Sequence, residues 1–112
     1  MSETVLLTLL MPAHLADTCI EVLLEHPAAP PFTSVPGRGH GDDPATMTLA
    51  EQVSGWRRES RIEVRIDAAD RTALLAALRD RMPTAAVRWR VTPIIAFGTL
   101  AVPAGDTGHG QA

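Results

Sequence analysis

Residues 4–11 are apolar at every position except Thr4 and Thr8. A short run without alternation predicts a strand covered on both faces, and Pro12 ends it. Leu15, Cys19, Val22, Leu23 and His26 then recur at helical spacing, predicting a helix over 13–26 that Pro27, Pro30 and Pro31 stop. A short strand is expected at 32–35, running into the glycine-rich stretch Pro36-Gly37-Arg38-Gly39-His40-Gly41. Residues 42–60 have no long-range period. Within them Thr48 and Glu51 form a Thr-x-x-Glu capping box, Leu49, Val53 and Trp56 follow at i, i+4 and i+7, and Gly55 is a stop signal. Strict alternation over 61–67 predicts a half-buried strand, and Asp67 or Asp70 is placed to cap a helix over 71–82. That helix carries the stripe Leu74, Leu75, Leu78 and Met82 and ends at Pro83. Alternation returns over 87–91, 93–97 continues extended, and a glycine-rich tail from Pro103 is expected to be disordered.

The order βαββαβ with right-handed crossovers gives an α+β, ferredoxin-like fold: one antiparallel sheet with two helices on one face. The domain is expected over 1–102 with a flexible tail at 103–112. Its uncovered sheet face would carry Arg61, Glu63, Arg65, Arg88 and Arg90, and a sheet bare on one side often completes its burial by oligomerising. Trp89, between two arginines on an alternating strand, is expected in the core.

Composition narrows the class. At 112 residues and 46% hydrophobic, the chain fits one domain, and 21% charged residues argue against disorder. One cysteine excludes an internal disulfide, no apolar run approaches the ~20 residues of a membrane span, and the start lacks a basic signal region. A small, soluble, cytoplasmic domain is expected. Charge is uneven: residues 1–56 hold one Arg and seven acids, whereas 57–90 hold nine Arg and five acids. Lysine is absent. The arginines make either a solvated basic face or a strip that binds anions or a partner.

Phe32-Thr33, Gly39-His40-Gly41, Ala50-Glu51-Gln52-Val53 with Gly55, and Val91-x-Pro93 resemble a PII-like family of unknown function, typically encoded beside heavy-metal efflux pumps. The wider pattern, a strand passing through Gly-x-Gly into a long loop and back on a charged strand, is similar to the PII signal-transduction superfamily. The segment Val91-Thr92-Pro93-Ile94-Ile95-Ala96 is similar to the last strand of CutA proteins. The resemblance implies a homotrimer with effector clefts between subunits. It also implies a flexible T-loop, at about 39–59, that engages a partner such as a membrane efflux transporter or its regulator. Gly37 and Gly39 fall where that superfamily brings backbone N–H groups to nucleotide phosphates. Departures are clear: Gly41 stands where nucleotide-binding members have Gln, no Gly-x-Gly-Lys follows the second helix, and the chain has no Tyr.

Candidate chemistry follows from these positions. Residues Gly37, Arg38, Gly39, His40 and Gly41 are candidates for effector binding, the effector being a metal ion or an anionic metabolite or nucleotide. The glycines alternatively serve only to bend the strand into the loop. His40, Asp42 and Asp43 are candidate metal ligands, with Met47 available to a soft ion, and they open a second reading as a metal-binding or tolerance protein. Leu49, Val53 and Trp56 are candidate partner contacts or intersubunit packing, and a third reading is a structural scaffold for that short helix. Cys19 and His26 share a face with leucines and read as core, and His14 and His109 stand apart. No nucleophile elbow, Walker A or H-E-x-x-H motif occurs, so no enzyme is expected. Neither strand that would stack RNA bases has an aromatic residue, which argues against nucleic acid.

Overall fold

The structure is a computed structural model and describes residues 3–41, 43–84 and 86–101. The tail expected at 103–112, with His109, and the candidate ligand Asp42 lie outside the described residues.

Among the described residues four strands form one antiparallel sheet: β1 (Thr4–Pro12), β2 (Phe32–His40), β3 (Trp56–Asp67) and β4 (Arg88–Pro93), in the order β2-β3-β1-β4. Three helices accompany them: α1 (Ala16–Glu25), α2 (Leu49–Ser54) and α3 (Arg71–Arg81). This is the expected ferredoxin-like arrangement, with α1 and α3 packed on one sheet face. Alternation fixes the core. Val5, Leu7, Leu9 and Met11 of β1 face Ile66, Val64, Ile62 and Ser60 of β3, and the apolar members of both sets are buried beneath Cys19, Val22, Leu23, Leu74 and Leu78. Each large side chain so buried contributes roughly 1.5–3 kcal/mol.

Several local expectations are corrected. The first helix opens as a 3-10 turn at Ala13–Leu15 before α1 begins. Neither Asp67 nor Asp70 makes a side-chain cap, because a 3-10 turn at Ala68–Asp70 intervenes and leaves Asp70 itself helical, not extended. Trp89 is 45% exposed and outside the core. It points to the helix side, opposite Leu9, but β4 is an edge strand. β1 is covered by helices on one face only. On the other, Leu6 and Leu10 are half-buried and Thr8 is buried between its cross-strand neighbours Glu63 and Arg90. Arg61, Glu63, Arg65, Arg88 and Arg90 lie on that open face as expected, and Arg61 pairs with Glu63 at 3.8 Å. Beyond Pro93 the chain leaves the ladder: Ile94 N donates to Thr4 O at 3.3 Å, the Phe97 ring lies 4.1 Å from the Arg65 guanidinium, and Ile95 and Leu100 are bare.

Two measurements check this packing. Leu7→Ala should lower unfolding free energy by about 2–5 kcal/mol in urea titrations, whereas Leu49→Ala, on an exposed helix face, should stay within about 0.5 kcal/mol. Burial also pushes the Cys19 thiol up from 9.0 to about 11. The native state therefore holds that proton where the unfolded chain releases it, so stability should fall as pH rises from about 9 towards 11. Cys19→Ala should flatten that part of the pH profile. A profile that falls equally in the variant would exclude the thiol as its source.

Candidate functional site

The glycine-rich stretch does not break the strand as expected at Val35. β2 continues through Pro36, and its register with β3 runs unbroken from Phe32↔Val64 to His40↔Trp56. Pro36 is tolerated because β2 is an edge strand. β3 in turn starts at Trp56, five residues before the alternation becomes visible. The connection outside the ladder is therefore 41–55, narrower than the expected 39–59.

β1 stops accompanying β3 at Pro12↔Glu59. Past that point Arg58, Arg57 and Trp56 have only β2 as a partner, through Arg38↔Arg58, Gly39↔Arg57 and His40↔Trp56. A two-stranded ribbon thus projects beyond the four-stranded sheet. Its two faces differ. One shows Arg38, His40, Trp56 and Arg58, with the Arg38 guanidinium 4.5 Å from the centre of the Trp56 ring. The other shows Gly37, Gly39, Arg57 and Glu59. Here the Glu59 carboxylate accepts from Arg88 of β4 at 3.1 Å and lies 3.9 Å from Arg57, tying the root of the ribbon to the far edge of the sheet.

That carboxylate explains one glycine. A β-carbon at Gly39 would stand 2.5 Å from Glu59 Cδ, while one at Gly37 would meet nothing within 4 Å. Neither residue has a positive φ; among the described residues only Gly41 and Gly55 do, at 78° and 80°. Gly37 and Gly39 are extended ladder residues, and of the three glycines Gly41 has the left-handed backbone.

Between Gly41 and Gly55 the chain is organised by its own side chains. Asp43 Oδ1 accepts from Ala45 N at 3.0 Å and caps a 3-10 turn over Pro44–Thr46. The expected capping box is present, with Glu51 N donating to Thr48 Oγ1 at 3.1 Å and Thr48 N to Glu51 Oε1 at 2.8 Å. Gln52 Nε2 donates to Pro44 O and Met47 O, and Gly55 ends α2 in the left-handed region. Leu49 and Val53, one turn apart, are 78% and 83% exposed. Trp56 does not join them: Gly55 ends the helical register, and Trp56 lies on the ribbon beneath Arg38.

The expected residues thus separate into two groups. Gly37, Arg38, Gly39 and His40 lie along the ribbon, and Leu49 and Val53 lie on the loop helix. Among the described residues no three His, Cys, Asp or Glu side chains are grouped to hold a metal ion. His40 is exposed and Asp43 serves as a cap. Cys19 is in the core, and His26 Nδ1 accepts from Ala28 N at 3.1 Å. Sequence reasoning missed Arg58, Glu59 and their register against the glycines. The run Trp56-Arg57-Arg58-Glu59-Ser60 has no apolar alternation to mark it as a strand.

The profile of a family described as protein of unknown function, DUF3240, matches residues 1–101. The chain belongs to the DUF3240 family. It is similar to a DUF3240 protein of known crystal structure from Shewanella baltica OS155, with a TM-score of 0.72 and 26% identity over 90% of this chain and all of that one. A PII-like protein from Thermus thermophilus superposes with a TM-score of 0.59 at 20% identity, over 83% of this chain and 88% of the other. CutA1 from a psychrotrophic Shewanella species does so with 0.65 at 16% identity, over 87% and 86%. The DUF3240 chain therefore has the PII-like and CutA-type fold. No curated protein matches its sequence. No helix among the described residues is long and apolar enough to cross a membrane.

The two ribbon glycines should respond differently to a methyl group. Gly39→Ala must displace the Glu59 carboxylate from Arg88 and should cost about 1 kcal/mol, whereas Gly37→Ala should be near neutral. Thermal melts of the two variants check this, and equal losses would show that Glu59 yields freely.

Proposed function

We propose that this DUF3240 protein is a non-enzymatic, PII-like regulator that assembles as a homotrimer through its open sheet face. It takes a small effector, a metal ion or an anionic metabolite or nucleotide, at residues 37–41 in clefts between subunits, and acts as a T-loop protein through 41–55. The observation that carries this reading is the ribbon that outruns the sheet and ends in a loop with its own hydrogen bonds and with Leu49 and Val53 bare. Two apolar side chains one helical turn apart suit a shallow groove on another protein. Leu6 and Leu10 on the open face supply apolar surface for subunit association. The partner we propose, from the family resemblance, is a heavy-metal efflux system of the membrane or its regulator. An effector would act by fixing or releasing the loop, so that the helix face is presented or withdrawn.

Light scattering on a sizing column, and thermal scans with nucleotides, Zn(II), Cu(I), Co(II) and Ni(II), test this. The expected result is a trimer whose midpoint rises with at least one ligand, a ligand at a hundredfold over its Kd adding about 2.7 kcal/mol. A monomer indifferent to all of them overturns the reading. Val53→Glu should leave the melt unchanged and abolish capture of the efflux partner.

A further inference from the structure

Trp89 marks a place where the sheet outruns its cover. It stands opposite Leu9 on the helix side of the edge strand β4, and α3 leaves it 45% exposed. Between α3 and that strand lies a notch of about 130 Å³. The fully buried Leu9 is its floor, the half-buried Leu75 and Met82 one wall, and Val87 and Trp89 the other. No carboxylate lines it, and the one charged lining residue is Arg79. Arg79 is exposed and has no carboxylate partner among the described residues, whereas Arg81, also in the last turn of α3, pairs with Glu21 at 3.4 Å. A cation suits that helix end in either case, so the helix end does not explain why only Arg79 is left at an apolar notch. Arg71, Leu75 and Arg79 recur at i, i+4 and i+8 and so share one face of α3. The Arg71 guanidinium lies 5.6 Å from the centre of the Trp89 ring, which makes the surroundings of the notch positive at both ends.

We infer that this notch binds a small monocarboxylic acid with an aromatic or branched aliphatic body, the body against Trp89 and Leu75 and the carboxylate on Arg79. The size fits, because an apolar protein cavity of about 150 Å³ takes one benzene ring. The energetics fit as well. The body takes water off apolar walls that the fold leaves half covered, and the guanidinium fork receives a carboxylate at the rim with no competing acid. The notch is on α3 and β4, while the effector residues proposed above are on β2 at the opposite edge of the sheet. The two assignments therefore stand or fall separately.

The test is titration of the isotope-labelled full chain with benzoate, followed by nuclear magnetic resonance at the indole N–H signals of the two tryptophans, which Trp56→Phe assigns. Benzoate should shift the Trp89 signal saturably, with a Kd in the millimolar range or below, and leave Trp56 in place. Benzamide has the same ring without the charge and should bind about tenfold or more weaker, and acetate, without the ring, should give no saturable shift. Arg79→Gln should weaken benzoate about tenfold or more without altering benzamide, and Arg79→Lys should recover part of the loss. Because Arg79 is exposed, the glutamine variant should melt as the parent does, which separates lost binding from lost fold. Absence of a saturable shift at Trp89 overturns the assignment, as does benzoate binding that Arg79→Gln leaves intact. A Trp89 signal that moves on dilution without any acid also overturns it, since a second copy then fills the notch.

Discussion

The length of β3 is the constraint on which the rest of the molecule depends. From Ile62 onward its alternate side chains are sealed in the core between β1 and the helices, and before Glu59 it has a neighbour on one side only. A two-stranded ribbon is marginal in water by itself. This one is anchored because the same backbone continues into the most buried part of the sheet, and because Glu59 fastens its root to Arg88 across β1. Candidate chemistry and core are therefore carried by one strand, with no flexible joint between them.

That division also explains what the sequence disclosed. Strands and helices against the core were legible, because burial imposes a period: Ile62, Val64 and Ile66 on alternate positions, Cys19, Val22 and Leu23 on a helical stripe. The capping box at Thr48 and Glu51 was legible for a different reason, since its signal is local chemistry that needs no tertiary partner. Residues 56–60 and 36–40 were hidden because the face of the ribbon that is covered is covered by Arg57 and Glu59 over Gly39, not by apolar side chains, so no hydrophobic period marks either strand there. Trp89 shows a further limit. Its parity correctly put it on the helix side, but the sideways reach of the helices over an edge strand is not written in that strand. The side-chain caps expected of Asp67 and Asp70 failed because one extra 3-10 turn shifted where the helix begins.

Three aromatic rings lie under guanidinium groups: Trp56 under Arg38, Phe97 under Arg65 and Trp89 under Arg71. In a chain without lysine this is how large apolar surface at the edges is kept partly clothed. The arrangement differs from the tie at Glu59, where charge meets charge. Arginine thus has two structural uses here, and Arg58, against neither a ring nor a carboxylate among the described residues, belongs to neither.

Gly41 and Gly55, the left-handed residues that bracket the loop, have a mechanical consequence. A residue without a β-carbon passes between left- and right-handed backbone at little steric expense. The capping bonds that organise the intervening stretch run among its own members, whereas the bond from Ser54 Oγ to Trp56 O crosses the pivot at Gly55. Reorientation at Gly55 would give up the bond from Ser54 to Trp56 and leave the capping bonds of the loop helix in place.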